Sequence, residues 1–265
     1  MTTIAVAVLL SLLASPQAPP PPRLTDSQVK DLLTRVDDDR DRFEDQLDGK
    51  VKHNVLRGPN GEVDVEKFLD DLQENVDKMK GRFENDYSAG SEVATVLRQG
   101  SAVQRFMATQ APNMKGASEW NRLAGSLNEL AIVYGTTFPT PDGAAVRRIG
   151  DHEIADAASK MADAADQFRK RLDDALKLET HIPQTSREAA VAEANGLKKD
   201  ADALAERLKD HKPASGEAVA LLQRAGRIEK TAATLSLPSS ATDAWKAVLP
   251  PLSTIANGFN LQPLH

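Results

Sequence analysis

Cysteine is missing from this chain altogether, which excludes disulfides, thiol nucleophiles, thiolate metal sites, lipid-modified cysteines and covalent haem attachment. Stability has to come from a packed core. A surplus of positive charge is missing as well. The 39 acidic residues against 33 Lys and Arg leave a formal charge of −6, no footprint for nucleic acid or anionic lipid headgroups. Aromatic residues are scarce at 4%, and with only two tryptophans each one becomes a positional marker. The apolar stretch Ile4 to Ala14 falls short of the roughly 20 residues that a spanning helix needs.

Chemical motifs are equally sparse. There is no Gly-x-Ser-x-Gly elbow, Walker loop or dinucleotide fingerprint, so nucleophilic and nucleotide chemistry have no visible carrier. The five histidines, His53, His152, His181, His211 and His265, fit no ligand spacing, and none has a Glu three residues before it. That removes the zincin and di-iron bundle signatures and leaves solvated histidines as the expectation. Asn60-Gly61-Glu62-Val63-Asp64 matches the later half of an EF-hand loop, yet the frame puts Leu56 and Gly58 at ligand positions and Lys67 where a bidentate Glu belongs. A loop with Asp64 capping a helix explains the segment. Asp37, Asp41, Glu44 and Asp48 share one helix face, but their counterparts 125 residues on include Arg169, so a solvated face is expected rather than a metal site. No metal, cofactor or catalytic residue is therefore expected.

What is present begins with residues 1–18, an apolar stretch followed by Ser15-Pro16-Gln17-Ala18, which reads as a signal peptide. A Pro-rich spacer, 19–23, follows, too stiff to join a helix. The rest is 40% hydrophobic across the chain, enough for a packed core.

Sliding the sequence against itself by 125 residues superimposes its halves without a gap. Trp120 falls on Trp245, Phe43 on Phe168, Leu47 on Leu172, Leu97 on Leu222 and Leu127 on Leu252. Asp26, Asp31, Asp38, Asp41, Asp48 and Asp77 fall on Asp151, Asp156, Asp163, Asp166, Asp173 and Asp202. Helical periodicity can align leucines by chance; it does not align both tryptophans and hold register through loops.

Each half carries four segments with apolar residues three and four apart, and no strand-like alternation competes. The first runs through Val29, Leu33, Val36, Phe43 and Leu47, with Arg40 interrupting the stripe and expected to reach back into water. The second holds Val65, Leu69, Leu72, Val76, Met79 and Phe83; the third Val93, Val96, Val103 and Met107; the fourth Trp120, Leu123, Leu127, Leu130 and Tyr134. Both tryptophans lie on core seams. Short links such as Gly58 to Gly61, Ser88 to Gly90 and Pro112 to Gly116 favour antiparallel neighbours. Pro250 and Pro251 predict a kink in the last helix. The expected fold is all-α: two tandem up-down-up-down four-helix bundles, 24–138 and 149–265, joined by a linker at 139–148.

Leu24-Thr25-Asp26-Ser27-Gln28 resembles the Leu-Thr-x-x-Gln motif of the small periplasmic helical chaperones related to Spy and CpxP. The resemblance spans these five residues and implies holding of unfolded chains; Thr25 and Gln28 are equally the two ends of a helix capping box. As a whole the chain is similar to exported bacterial helical-repeat proteins with a Trp-containing last helix, a resemblance that implies no activity. The functional expectation is a non-catalytic periplasmic or secreted protein that binds a protein partner in the cell envelope or acts as a spacer. The alternative is a chaperone or apolar-ligand carrier with a groove between helices, for which Leu32, Phe106, Ile132, Val133 and Leu249 are candidate lining residues.

Overall fold

The computed structural model describes residues 23–58, 61–110, 113–179, 182–234 and 237–261; the expected signal peptide, most of the spacer, His181 and His265 lie outside them. Among the described residues the protein is all-α, with ten helices and one two-stranded hairpin. The helices are α1 (Asp26–Gln46), α2 (Gly49–Lys52), α3 (Val65–Asp86), α4 (Gly90–Met107), α5 (Ala117–Val133), α6 (Asp151–Leu178), α7 (Gln184–Lys209), α8 (Ser215–Thr234), α9 (Ser239–Lys246) and α10 (Leu249–Gly258). No described helix is long and apolar enough to cross a membrane.

Helix α1 packs on α3 and α5, α3 on α4, and α4 on α5. Likewise α6 packs on α7, α9 and α10, α7 on α8, and α8 on α10. The seams are the periodic apolar stripes: one core cluster runs from Val29 through Leu69, Leu97 and Leu127 to Tyr134, a second from Ile154 through Leu197, Leu221 and Leu252 to Phe259. At the centre of each an aromatic pair recurs. Phe43 meets Trp120 with centroids 5.3 Å apart at 59°, and Phe168 meets Trp245 at 5.1 Å and 56°. Tilted rings at this separation are a favourable packing geometry, and it fixes α5 and α9 against their first helices.

Four expectations need correction. First, strands do occur: β1 (Val55–Gly58) pairs antiparallel with β2 (Gly61–Asp64), matching Leu56 with Val63. Gly61 takes a positive φ of 108°, which a residue with a Cβ resists, and the turn folds Leu56 into the first core. At the matching register the second half runs Ser186-Arg187-Glu188-Ala189 with Pro183 as N-cap, so α7 is already helical there. Second, the last helix breaks rather than kinks. It stops at Lys246 and restarts at Leu249, with both prolines in the first turn, where no N–H partner is lost. Third, the Arg40 head does not reach water. The residue is 2% exposed and held by Asp37, Asp41 and Glu44. Fourth, Leu32 is fully buried rather than groove-lining, while Ile132 and Leu249 are exposed.

Candidate functional site

The acidic stripe shows why composition alone misleads. Arg40 lies among Asp37, Asp41 and Glu44, its Nη1 donating to Glu44 at 2.8 Å, and Lys80 reaches from α3 to Asp37 at 2.6 Å. The hydrogen bond to Asp37 raises the Lys80 pKa. Two cations thus offset much of the negative charge on this face from within.

One trio of potential metal ligands comes together among the described residues: His53, Asp64 and Glu66, all exposed. The hairpin produces it by bringing Asn54 O onto Val65 N at 2.9 Å. One Asp64 oxygen accepts the Glu66 N–H at 2.9 Å as the cap of α3, as the Asp64 reading anticipates. His152 and His211 are also exposed.

Sequence reasoning missed a buried polar constellation at the start of α1 and α6. The N-termini of α1 and α6 meet head to head, and their first residues, Asp26 and Asp151, are buried. Asp26 N–H donates to the Asp151 carboxylate at 2.7 Å; Asp151 N–H donates to both Asp26 oxygens, at 3.0 and 3.2 Å. Each carboxylate is also clasped by an arginine from the other half. Arg23 donates to Asp151 and to Ile149 O, and Arg148 donates to Asp26 and to Leu24 O. Every member has its partner 125 residues away: Arg23 and Arg148, Leu24 and Ile149, Asp26 and Asp151.

The hydrogen bonds between Asp26, Asp151, Arg23 and Arg148 are therefore reciprocal. Physically the arrangement solves one problem. Two helix N-termini, each worth roughly half a positive charge, would repel if apposed bare, and the two carboxylates sit where that charge develops. Helix α6 has no side-chain cap of its own, since Gly150 precedes it, so Asp26 caps it from across the joint. Helix α1 keeps its own Thr25–Gln28 capping box in addition, and this is what the Leu-Thr-x-x-Gln residues do here. Burial holds the Arg23 guanidinium below its ordinary pKa, nearby Arg148 adds to this, and Asp151 opposes it. Arg23 also stacks over the Phe259 ring at 5.6 Å. The repeated Arg-x-x-Asp at 23 and 148 was the available signal.

A second feature lies between α6, α7 and α8. Phe168, Leu172, Ala189, Ala190, Ile228 and Ala232 line a cleft of about 260 Å³, partly open to solvent, with Ser186, Glu193, Thr231 and Leu237 around it. Glu193 is held by two arginines, its oxygens 3.3 Å from Arg224 Nη1 and 3.3 Å from Arg227 Nη2. Arg224 in turn bonds Asp200 at 2.6 Å, which raises its pKa. Gly196 leaves room for this arrangement, since a Cβ there would crowd the Arg224 guanidinium. The sequence expectation of a groove between helices named other residues; only Phe106, at the matching position in the first half, falls on this register.

No protein-family model, curated protein or solved structure matches the chain.

Proposed function

We propose that this is a non-catalytic exported protein made of two tandem up-down-up-down four-helix bundles, a duplication at an offset of 125 residues, and that it works as a rigid scaffold for a protein partner in the cell envelope. Export rests on residues 1–18 alone. The bundles span 24–138 and 149–265, with 139–148 between them.

The observation that carries the scaffold reading is the reciprocal joint. Buried ionic groups contribute little net stability, because desolvation offsets their attraction, but they penalise every arrangement in which a charge loses its partner. A joint of four such groups therefore specifies one geometry between the bundles. That is the property a spacer or interaction module requires and an enzyme of independent domains does not. The linker supports it: Thr140 N–H donates to buried Ser101 at 2.8 Å and Arg147 N–H to Tyr134 O at 3.1 Å, so the connection is tied down along its length.

The absence of cysteine makes the test direct. Spin labels at Gln73→Cys and Lys199→Cys, exposed positions on α3 and α7, are expected to give one narrow distance distribution by pulsed electron paramagnetic resonance. Replacing Asp26 and Asp151 by alanine should broaden it. A broad distribution in the parent protein rejects the scaffold reading. A second reading, apolar-ligand carriage, is favoured by one observation, the cleft between α6, α7 and α8.

A further inference from the structure

Comparing the two halves position by position shows how the side chains at this cleft differ between them. Its floor is matched in the first half by similar side chains, Phe168 by Phe43, Leu172 by Leu47 and Ile228 by Val103. Its walls are not. Ala190, Glu193, Thr231 and Ala232 stand where the first half has Val65, Phe68, Phe106 and Met107. Those four pack in or against the first core. Four neighbouring positions have thus lost bulk together in the second half, while the floor beneath them kept its size. The hairpin that adds Leu56 and Val63 to the first core at this end has no strand counterpart among the described residues of the second, where Ser186 and Ala189 on α7 face the space instead.

The cleft is partly open, with Ser186, Ala189 and Thr231 exposed around it, and apolar side chains that lose packing neighbours there forfeit stabilising contacts. We propose that the cleft is a binding site for a small, neutral, hydrocarbon-rich molecule, which takes the place that Phe68, Phe106 and Met107 take in the first half. This goes beyond the scaffold reading and rests on the second, carrier reading together with the 125-residue register.

Three features set the ligand class. Size comes first: an apolar cavity of about 150 Å³ suffices to take up benzene, so one of about 260 Å³ holds a bicyclic ring or a ring with a short chain. Charge is next. Among the described wall residues the one ionisable group is Glu193, and it is already satisfied by Arg224 and Arg227, so a charged ligand would lose hydration without gaining a free counter-charge from these walls. Polarity is last. The Thr231 hydroxyl donates to Arg227 O at 2.9 Å and can still accept, whereas the Ser186 hydroxyl makes no hydrogen bond within the described protein. Ser186, exposed at the edge of the cleft, can bond one hydroxyl or carbonyl on an otherwise apolar ligand.

The test uses the full chain with naphthalene and 1-naphthol as probes, followed by fluorescence and calorimetry. One equivalent of each should bind, with 1-naphthol the tighter. Ser186→Ala should remove the advantage of 1-naphthol and leave naphthalene unchanged. The double variant Thr231→Phe with Ala232→Met, which installs the first-half residues, should weaken both probes at least ~10-fold while the melting temperature holds or rises, as filling a void predicts. A misfolded variant would melt lower, so it is distinguishable from a filled one. If neither probe binds the parent protein up to its solubility limit, or if the filled variant binds as tightly as the parent, the proposal is overturned. Neither outcome alters the spin-label distances, so the scaffold reading stands or falls separately.

Discussion

Removing Asp26 should destabilise the protein by about 4–5 kcal/mol, and removing Asp151 by somewhat less, because the joint is reciprocal in its bonds but not in its caps. Asp26→Ala strips the carboxylate from Arg148, which is buried with a side chain 4% exposed, and from the Asp151 N–H. Breaking a buried pair by deleting one partner costs about 3–5 kcal/mol, since the survivor is left uncompensated. Helix α6 loses in the same step the one side-chain acceptor at its N-terminus among the described residues, which places Asp26→Ala at the upper end. Asp151→Ala strands Arg23 in the same way, yet α1 retains the Thr25–Gln28 capping box. The difference between the two should be roughly the worth of a helix cap, ~1 kcal/mol. Urea unfolding followed by circular dichroism measures both. The double variant Asp26→Ala with Arg148→Met should cost less than Asp26→Ala alone, because no charge is then orphaned. If Asp26→Ala costs under about 1 kcal/mol, or the double variant costs the sum of its parts, the joint is a surface ion pair in all but location and the argument fails.

Three further outcomes follow from single side chains. Tyr134 is buried with a hydroxyl that has no hydrogen-bond partner, and burial raises its pKa to about 12. Absorbance titration should show one phenol ionising near pH 12. Because the folded value is the raised one, its contribution to stability is full below about pH 10 and is lost as pH climbs toward 12, and Tyr134→Phe should abolish that dependence. Leu56→Ala, which empties the hairpin's anchor in the first core, should lower stability by about 2–5 kcal/mol in thermal melts. Gly100→Ala places a Cβ 2.6 Å from Leu127 Cδ1 and 3.1 Å from the Phe138 ring, so despite better helix propensity it should destabilise by about 1–3 kcal/mol; a gain in melting temperature would show that α4 can shift.

Much of the core could be read from spacing alone, because a stripe with a period near 3.6 leaves few alternatives for Val29, Leu33 and Val36 or for Leu197, Ala201 and Leu204. The hairpin was not, although Val55 and Leu56 followed by Gly-Pro-Asn-Gly and Val63 carry a turn flanked by β-formers. A gap-free register hid it, since it invites the assumption that matched positions share backbone conformation. Residues 61–64 form a strand and residues 186–189 a helix; the composition of each, Gly-Glu-Val-Asp against Ser-Arg-Glu-Ala, decides locally. Arg40 was misread for a related reason. Its stem fits a snorkelling picture, but only the fold shows three carboxylates gathered on its head. The cleft was beyond the sequence as read stripe by stripe, because Ala190 and Ala232 look like ordinary core alanines until the bulk opposite them is known.

If the chain is a duplication, as proposed, the geometry of the joint gives a reason why two copies suffice. In stacked repeat arrays one face of each unit meets a different face of the next, so the chain of contacts is open-ended and terminal units need special capping. Here the same surface, Arg-x-x-Asp at a helix N-terminus, meets itself, as in an isologous dimer. A self-complementary contact is consumed by one partner, and a third copy would find it occupied. On the duplication reading, the pair is closed by its own symmetry, and nothing in the joint restrains what happens at the far ends of the bundles. The two halves have used that freedom in opposite directions. The first is filled by Phe68, Phe106 and Met107 and covered by a hairpin; the second is hollowed by Glu193, Thr231 and Ala232 at the same register. On the proposed reading, both halves keep the Arg-x-x-Asp pairing of the joint while the side chains at the cleft end differ in bulk, so one copy serves as support and the other takes up a ligand.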